Sequence, residues 1–374
     1  MKLVYFSPSP WTSFVQRPHK FVEWFMARHG GRVLWVDPYP TRLPAWRDVH
    51  RLGGNFGARL NHNPKNGLIV LSPQALPIEP LPGARFLNRF LWQEALETIG
   101  RFATPETFLG IGKPSQLALT VMRRLKFSMI FHDYMDDFPA FCEGISRKHM
   151  ERVERETIAR AAKGIASSTL LCARWKNGSA VLVRNAFDAQ SLPAIPGRSR
   201  TASPPILGYV GTIDHWFDWD VVLRIARAFP RYILRLIGPL LSPAAESLPG
   251  NIELLPPCSL PDALAAMQGF SAGLIPFKIN RLTKSVDPIK YYEYRAMGLP
   301  VLSTAFGEMT LHDIDPGVFL FNRDNAPAMV EAALALGADL QGAEEFRQSN
   351  SWEARFAALD SFFEPWTSAV SGAS

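Results

Sequence analysis

The chain alternates short apolar runs with helix-length segments, and it does so twice. Residues 3–6 form an apolar run, and residues 14–29 follow with a helical pattern whose core candidates are Phe21, Val22, Trp24, Phe25 and Met26. Gly30-Gly31 ends that helix, and Arg32–Val36 reads as the next strand. A strand–helix–strand opening predicts a parallel sheet covered by helices, an α/β fold. Further strands are expected at 67–72, 128–132 and 164–167, and helices at 85–101, 115–125 and 148–162. Residues 191–205 are rich in Pro, Ser and Arg and read as an interdomain linker. The alternation then restarts. Strands are expected at Ile206–Val210, 232–237, Ala272–Ile275 and from Val301, and helices at Trp219–Ala228, Leu260–Met267, Ala326–Leu336 and 351–363.

A length of 374 residues, 47% of them apolar, supplies two cores of ordinary size. Cys142, Cys172 and Cys258 are odd in number, widely spaced and outside any zinc-finger spacing, which fits a reducing compartment. The first apolar run is too short for a secretory signal, and no run of about 18 apolar residues exists to span a bilayer. A cytoplasmic protein is expected. The net charge of +6 conceals an asymmetry: residues 1–188 carry 26 Lys and Arg against 15 Asp and Glu, and the remainder carries 14 against 19. The first half is therefore the one suited to an anionic partner. Segments 85–101 and 115–125 mix basic with aromatic or apolar residues, as helices lying on a membrane surface do, although such helices more often cover a sheet. No zinc finger, aromatic RNA-binding motif or dense basic helix points to nucleic acid.

The segment from Ser285 to Ser303 is sharply punctuated. Asp287 suits an N-cap, Pro288 a first helical position, Gly298 the left-handed position past the helix end, and Pro300 forbids continuation. A loop, a helix start and a following strand offer free N–H groups to an anion. Lys290 and Glu293 share one face of that helix. A cation for a diphosphate and a carboxylate for ribose hydroxyls suit a nucleotide sugar, although Glu293 also reads as a surface residue paired with Lys290 or Arg295.

Glu293-Tyr-Arg-Ala-Met-Gly-Leu-Pro-Val301 resembles the donor-binding helix of GT-B glycosyltransferases of the retaining group 1 type. The longer form, with Asp287-Pro-Ile-Lys290 and Tyr292-Glu293-Tyr294, is similar to bacterial members that build capsule, teichuronic-acid-like or exopolysaccharide chains. The resemblance implies two Rossmann-like domains facing a cleft: an acceptor domain at 1–190, the linker at 191–205, a nucleotide-sugar domain at 206–350, and a helix in 351–374 that returns to the first domain. It further implies that Glu293 binds ribose and that a nearby cation holds the diphosphate. The family often has a second Glu eight residues ahead of the first, where this chain has Ser285.

Ligands of such domains lie just past the strands' carboxyl ends. There the chain places Arg17 and His19 after its first strand, without the glycines many relatives carry. His132-Asp133-Tyr-Met-Asp136-Asp137 follows another strand. Crowded carboxylates repel, which raises at least one pKa and suits a base toward a sugar hydroxyl. Asp137 or Asp133 is the favoured candidate, with Asp136 beside them; helix capping is the alternative. Gly211 and Thr212 follow the first strand of the second half, and Asp287, Tyr292 and Arg281 flank the donor helix. Trp216, Phe217 and Trp219 would stack on a ligand or pack internally. Asp133 and Asp136 lack the Asp-x-Asp spacing of metal-dependent transferases, so no metal and no cofactor is expected, only a UDP- or GDP-linked sugar as substrate. The segment Gly110-Ile-Gly112-Lys113-Pro114 does not complete a phosphate loop, having Thr107 in place of the first Gly and no Ser or Thr directly after Lys113.

The expected activity is transfer of a sugar to a growing, lipid-linked glycan, with peripheral contact to an anionic membrane. Alternatives are a sugar-nucleotide epimerase on the same fold, or a catalytically degenerate transferase acting as a scaffold. A phosphorylase would require a pyridoxal-bearing lysine motif, which is not found.

Overall fold

The computed structural model describes residues 1–44, 59–62, 67–175, 178–195 and 203–363. The chain divides into two compact units, Met1–Val183 with the residues from Leu359 onward, and Arg184–Ala358. The division falls ahead of 191–205, the expected linker, because Asn185 is tied into the second unit: its backbone N–H donates to the Asp287 carboxylate at 2.5 Å and its side-chain amide to the Asp287 carbonyl at 2.6 Å. Residues 196–202 of that stretch lie outside the described residues.

The first unit contains β1 (Lys2–Phe6), β2 (Arg32–Val36), β3 (Arg59–His62), β4 (Leu68–Ser72), β5 (Thr107–Ile111), β6 (Met129–Tyr134), β7 (Lys163–Ala166) and β8 (Ala180–Leu182). They form one sheet in the order β3-β4-β2-β1-β5-β6-β7-β8, parallel except for β3 against β4. The order reverses between β1 and β5, which marks that junction's carboxyl edge as the ligand-binding crevice of the unit. β5 is missing from the expected strands because Gly110 interrupts its apolar run; a Cβ there would lie 2.6 Å from the Phe131 ring and 2.8 Å from Tyr5. The helix Arg17–His29 runs from a Pro-containing first turn to Gly30 at φ 56°, as expected. The expected helix 85–101 is two helices, Ala84–Leu91 and Gln93–Phe102, broken at the buried Trp92. Leu359, Phe362 and Phe363 are buried in this unit, with Phe363 packing edge-on against Phe25, Phe108 and Phe131.

The second unit contains β9 (Ile206–Val210), β10 (Ile233–Ile237), β11 (Ile252–Leu255), β12 (Ala272–Ile275), β13 (Val301–Thr304) and β14 (Val318–Phe321). All pair in parallel in the order β11-β10-β9-β12-β13-β14, with the reversal between β9 and β12. Side chains alternate between two buried layers. Leu207 and Tyr209 of β9 join Val222, Ile225, Leu234 and Val330, and Val210 joins Met267, Phe270, Tyr294 and Val301 on the other face. Among the described residues no helix is long and apolar enough to cross a membrane.

Candidate functional sites in the two units

In the first unit the carboxyl edge is built around buried charge. Asp133 is the last residue but one of β6 and is essentially inaccessible. Its carboxylate accepts the Tyr5 hydroxyl at 2.7 Å and the Arg17 guanidinium at 3.4 Å. Arg17 is equally buried and also donates to the Val183 carbonyl at 2.7 Å. Arg17, expected past the first strand as a ligand-side cation, is here an internal counter-charge to Asp133. His19 is buried as well. Its Nδ1 accepts the Gln16 backbone N–H at 3.2 Å, so the N–H on Nε2 faces the Trp11 carbonyl at 3.3 Å. Burial pushes its pKa down, and it acts as a neutral helix cap. His132 donates from Nδ1 to the Ile111 carbonyl at 2.7 Å, stacks on Tyr134, and is held neutral by burial that lowers its pKa to about 4.

The three aspartates are not equivalent. Asp137, buried, accepts Arg174 at 2.6 Å, and Arg174 reaches on to Tyr134 and Glu154. Asp136 is half-buried, and among the described residues its carboxylate has no hydrogen-bond or ion-pair partner. Its pKa is pushed up to about 7. Burial is the main cause; Arg17 pulls the other way, and the Asp137 and Asp133 charges add to the rise. One raised carboxylate is expected from crowding alone, but burial outweighs repulsion here, and Asp137 and Asp133, the favoured candidates, are both taken by arginines.

Asp136 faces a cavity of about 680 Å³. The walls come from the loops after β1, β2, β5 and β6, around the crevice between β1 and β5, and include Pro8, Tyr39, Arg42, Lys113, Phe138 and Cys142. Lys113 is the residue of the failed phosphate-loop pattern. Burial lowers its pKa, and among the described residues its ammonium has no ion-pair or hydrogen-bond partner. Glu79, near it, accepts the Tyr39 hydroxyl at 3.1 Å and the Gln116 backbone N–H, and burial raises it to about 7. A single lysine between Gly112 and Pro114 at a strand end was the sequence signal for this wall. Arg174 had none, lying 37 residues from its partner Asp137.

In the second unit the edge is built from backbone. Gly211, after β9, has φ 156°, and Gly238, after β10, has φ 142°. A Cβ on Gly238 would lie 2.1 Å from the Gly211 carbonyl oxygen, so the two loops approach this closely only with glycine at 238. The half-buried Thr212 follows, its carbonyl accepting the Tyr209 hydroxyl at 2.9 Å. The expected donor helix spans Ile289–Ala296 and ends with Gly298 at φ 77°. Its cap differs from expectation. Pro288 occupies the N-cap position, and Asp287 caps nothing; its buried carboxylate accepts the Asn185 N–H and, at 3.0 Å, the Tyr292 hydroxyl. Asp287 and Tyr292 therefore satisfy each other and fix the helix start. Lys290 and Glu293 are half-buried and ion-paired on the helix's early turns. Ser285 is buried in a short 3₁₀ turn and donates to the Leu282 carbonyl at 3.3 Å. Arg281 is exposed. Phe217 and Trp219 pack in the core, and Asp218 caps Trp219–Ala228, so the aromatic run there is largely internal. Among the described residues no group of three His, Cys, Asp or Glu side chains is arranged to hold a metal ion.

Neither a protein-family description nor a curated protein sequence matches the chain. Solved structures do. Sucrose-phosphate synthase from Thermosynechococcus elongatus superposes with a TM-score of 0.70 at 16% identity over 98% of this chain and 99% of that one. A structure described as trehalose-6-phosphate from E. coli bound with UDP-2-fluoro glucose gives 0.61 at 9% identity over 96% and 98%. AviGT4, a glycosyltransferase involved in avilamycin A biosynthesis, gives 0.56 at 13% over 100% and 98%. Sequence identities this low speak to architecture alone, and on that ground the chain has the GT-B fold, two Rossmann-like domains in one polypeptide.

Proposed function

We propose that the protein is a glycosyltransferase that moves a sugar from a nucleotide diphosphate sugar to a hydroxyl of a growing, lipid-linked glycan in bacterial polysaccharide synthesis. The observation that carries the reading is the GT-B likeness over nearly the whole chain, including a structure bound with UDP-2-fluoro glucose. The second unit supplies the donor side. Gly211 and Thr212 bring backbone close to the diphosphate, Lys290 neutralises it, and Glu293 turns from Lys290 to the ribose hydroxyls. Arg281 is proposed as a further phosphate contact. Asp287 and Tyr292 position the helix.

The first unit supplies the acceptor side. The acceptor hydroxyl donates to Asp136, which takes its proton as the bond from acceptor oxygen to anomeric carbon forms. The bond from that carbon to the diphosphate breaks, and the nucleoside diphosphate leaves with its charge stabilised by Lys290. Asp133, Asp137, Arg17 and His132 act through placement, since each is occupied by protein partners. Phe138, Met135 and the prolines of the cavity support an acceptor with an apolar part. Arg17 and Arg174 already neutralise two of the three carboxylates, so the step proceeds without a metal. Retention at the anomeric carbon, implied by the resemblance, is read from the product by NMR.

The test is a thermal-shift series with UDP, GDP, ADP, TDP and CMP on the wild type and on Glu293→Ala. A ligand near 1,000 times its dissociation constant adds about 4 kcal/mol of stability. One nucleoside diphosphate stabilising the wild type and not the variant is expected. No shift with any nucleotide overturns the donor site.

A further inference from the structure

The helix Ala84–Leu91 is inside out. The residues it turns into the protein are Ala84 and Asn88, and the Asn88 amide is spent on the backbone of Leu76, accepting its N–H at 2.7 Å and donating to its carbonyl at 3.3 Å. The large apolar side chains point the other way: Phe86 is 64% exposed, Leu87 50% and Phe90 65%. Phe86 and Phe90 stand one turn apart with their rings in edge contact at 5.5 Å. A soluble helix that covers a sheet has the opposite arrangement, with apolar residues inside.

The surroundings of those rings are cationic. Arg85 and Arg89 lie on the same helix, exposed. Arg123 and Arg124 end the helix Gln116–Arg124, and Arg124 lines a surface groove together with Phe86, Arg89 and Phe90. Glu156 is paired with Arg123 and Arg160, and Glu97, which lines the groove, accepts the Gln93 amide.

We infer that this helix is a docking surface for an anionic phospholipid bilayer. Aromatic rings at the acyl boundary with arginines at the phosphates match the chemistry of that interface. A patch resting on a few apolar side chains falls short of the roughly 800 Å² per partner of a stable protein interface. The binding stands apart from transfer chemistry and rests on the proposed function only for its purpose, bringing a lipid-linked acceptor to the enzyme.

The experiment is co-sedimentation of the full chain with vesicles of phosphatidylcholine alone and of phosphatidylcholine with phosphatidylglycerol, at low and high salt. Binding to the anionic vesicles, weakened by salt, is expected. Phe86→Ser/Phe90→Ser should lower the bound-to-free ratio at least tenfold. Arg85→Gln/Arg89→Gln should lower it about fivefold per arginine. Circular dichroism melting of each variant, unchanged from wild type, assigns a loss to the surface rather than to the fold. Absence of wild-type binding to anionic vesicles overturns the inference, as does unchanged binding in both variants. Self-association abolished by Phe86→Ser/Phe90→Ser would assign the face to a second copy instead. None of these readouts depends on nucleotide, so failure of the donor site and failure of the docking surface are separable.

Discussion

At the carboxyl edge of the first sheet, Asp133 and Asp137 are neutralised by Arg17 and Arg174, and the cavity beside them is shaped by buried side chains. At the same edge of the second sheet, among the described residues, no buried arginine–carboxylate pair lines the loops after β9 and β10; the pair there is the more exposed Asp214–His215. Gly211 and Gly238 do the work there, letting two backbones approach. Both sheets are parallel and reverse their strand order at the centre, so topology marks the same place in each. A backbone-lined edge leaves few side chains to lose, and the N–H groups of Gly211 and Gly238 are themselves held by the Ile237 and Leu255 carbonyls. A side-chain-lined edge can tune a single carboxylate, and Asp136 is the one so tuned.

That contrast is open to test, beginning with the largest effect on folding. Arg17→Ala leaves the Asp133 carboxylate buried beside Tyr5 without its counter-charge, and should cost about 3–5 kcal/mol in urea unfolding. A cost under about 1 kcal/mol would mean that the first edge is not held by its ion pairs. Gly238→Ala drives a methyl into the Gly211 carbonyl and strains φ, for an expected loss of about 2–3 kcal/mol in the same assay. An unchanged midpoint there would show that the second edge tolerates side chains after all.

The smallest effect on folding should come from Asp136→Asn. The group's folded pKa is raised to about 7, so any stability it contributes is present at low pH and lost as pH rises through that value. The amide variant should therefore be at least as stable as wild type at pH 8. Its transfer rate should nevertheless fall by about 10²–10⁴. In the wild type the rate should rise with pH through about 7, as Asp136 ionises, and the variant should lack that limb. His132 gives the opposite sign. Its folded pKa lies near 4, below the ordinary value of 6.5, so stability is full above 6.5 and declines as pH falls toward 4. A melting temperature flat across that range would argue against a neutral, buried His132.

Much of the architecture is legible in local pattern. Leu3–Phe6 and Ile206–Val210 declare themselves as apolar runs, and the helix ends at Gly30 and Gly298 follow from the one residue type that takes positive φ freely. β5 is not legible, because Gly110 depresses the strand signal and its need arises only when Tyr5 and Phe131 pack over it. Trp92 breaks the expected 85–101 helix for a comparable reason: it is buried against Tyr39, a contact across the sequence.

The site divides in the same way. The sequence by itself determined that carboxylates gather after β6, that Lys290 and Glu293 share a helix face, and that an α/β chain of this length makes two units. Those are matters of spacing and periodicity. Only the tertiary structure decided which aspartate is unpaired, because Arg17 and Arg174 reach Asp133 and Asp137 from 116 and 37 residues away. It also decided that Asp287 anchors Asn185 instead of capping its helix, and that Phe86 and Phe90 face outward. Charge state and burial are set by neighbours in space, and residues distant along the chain become neighbours only when the sheets form.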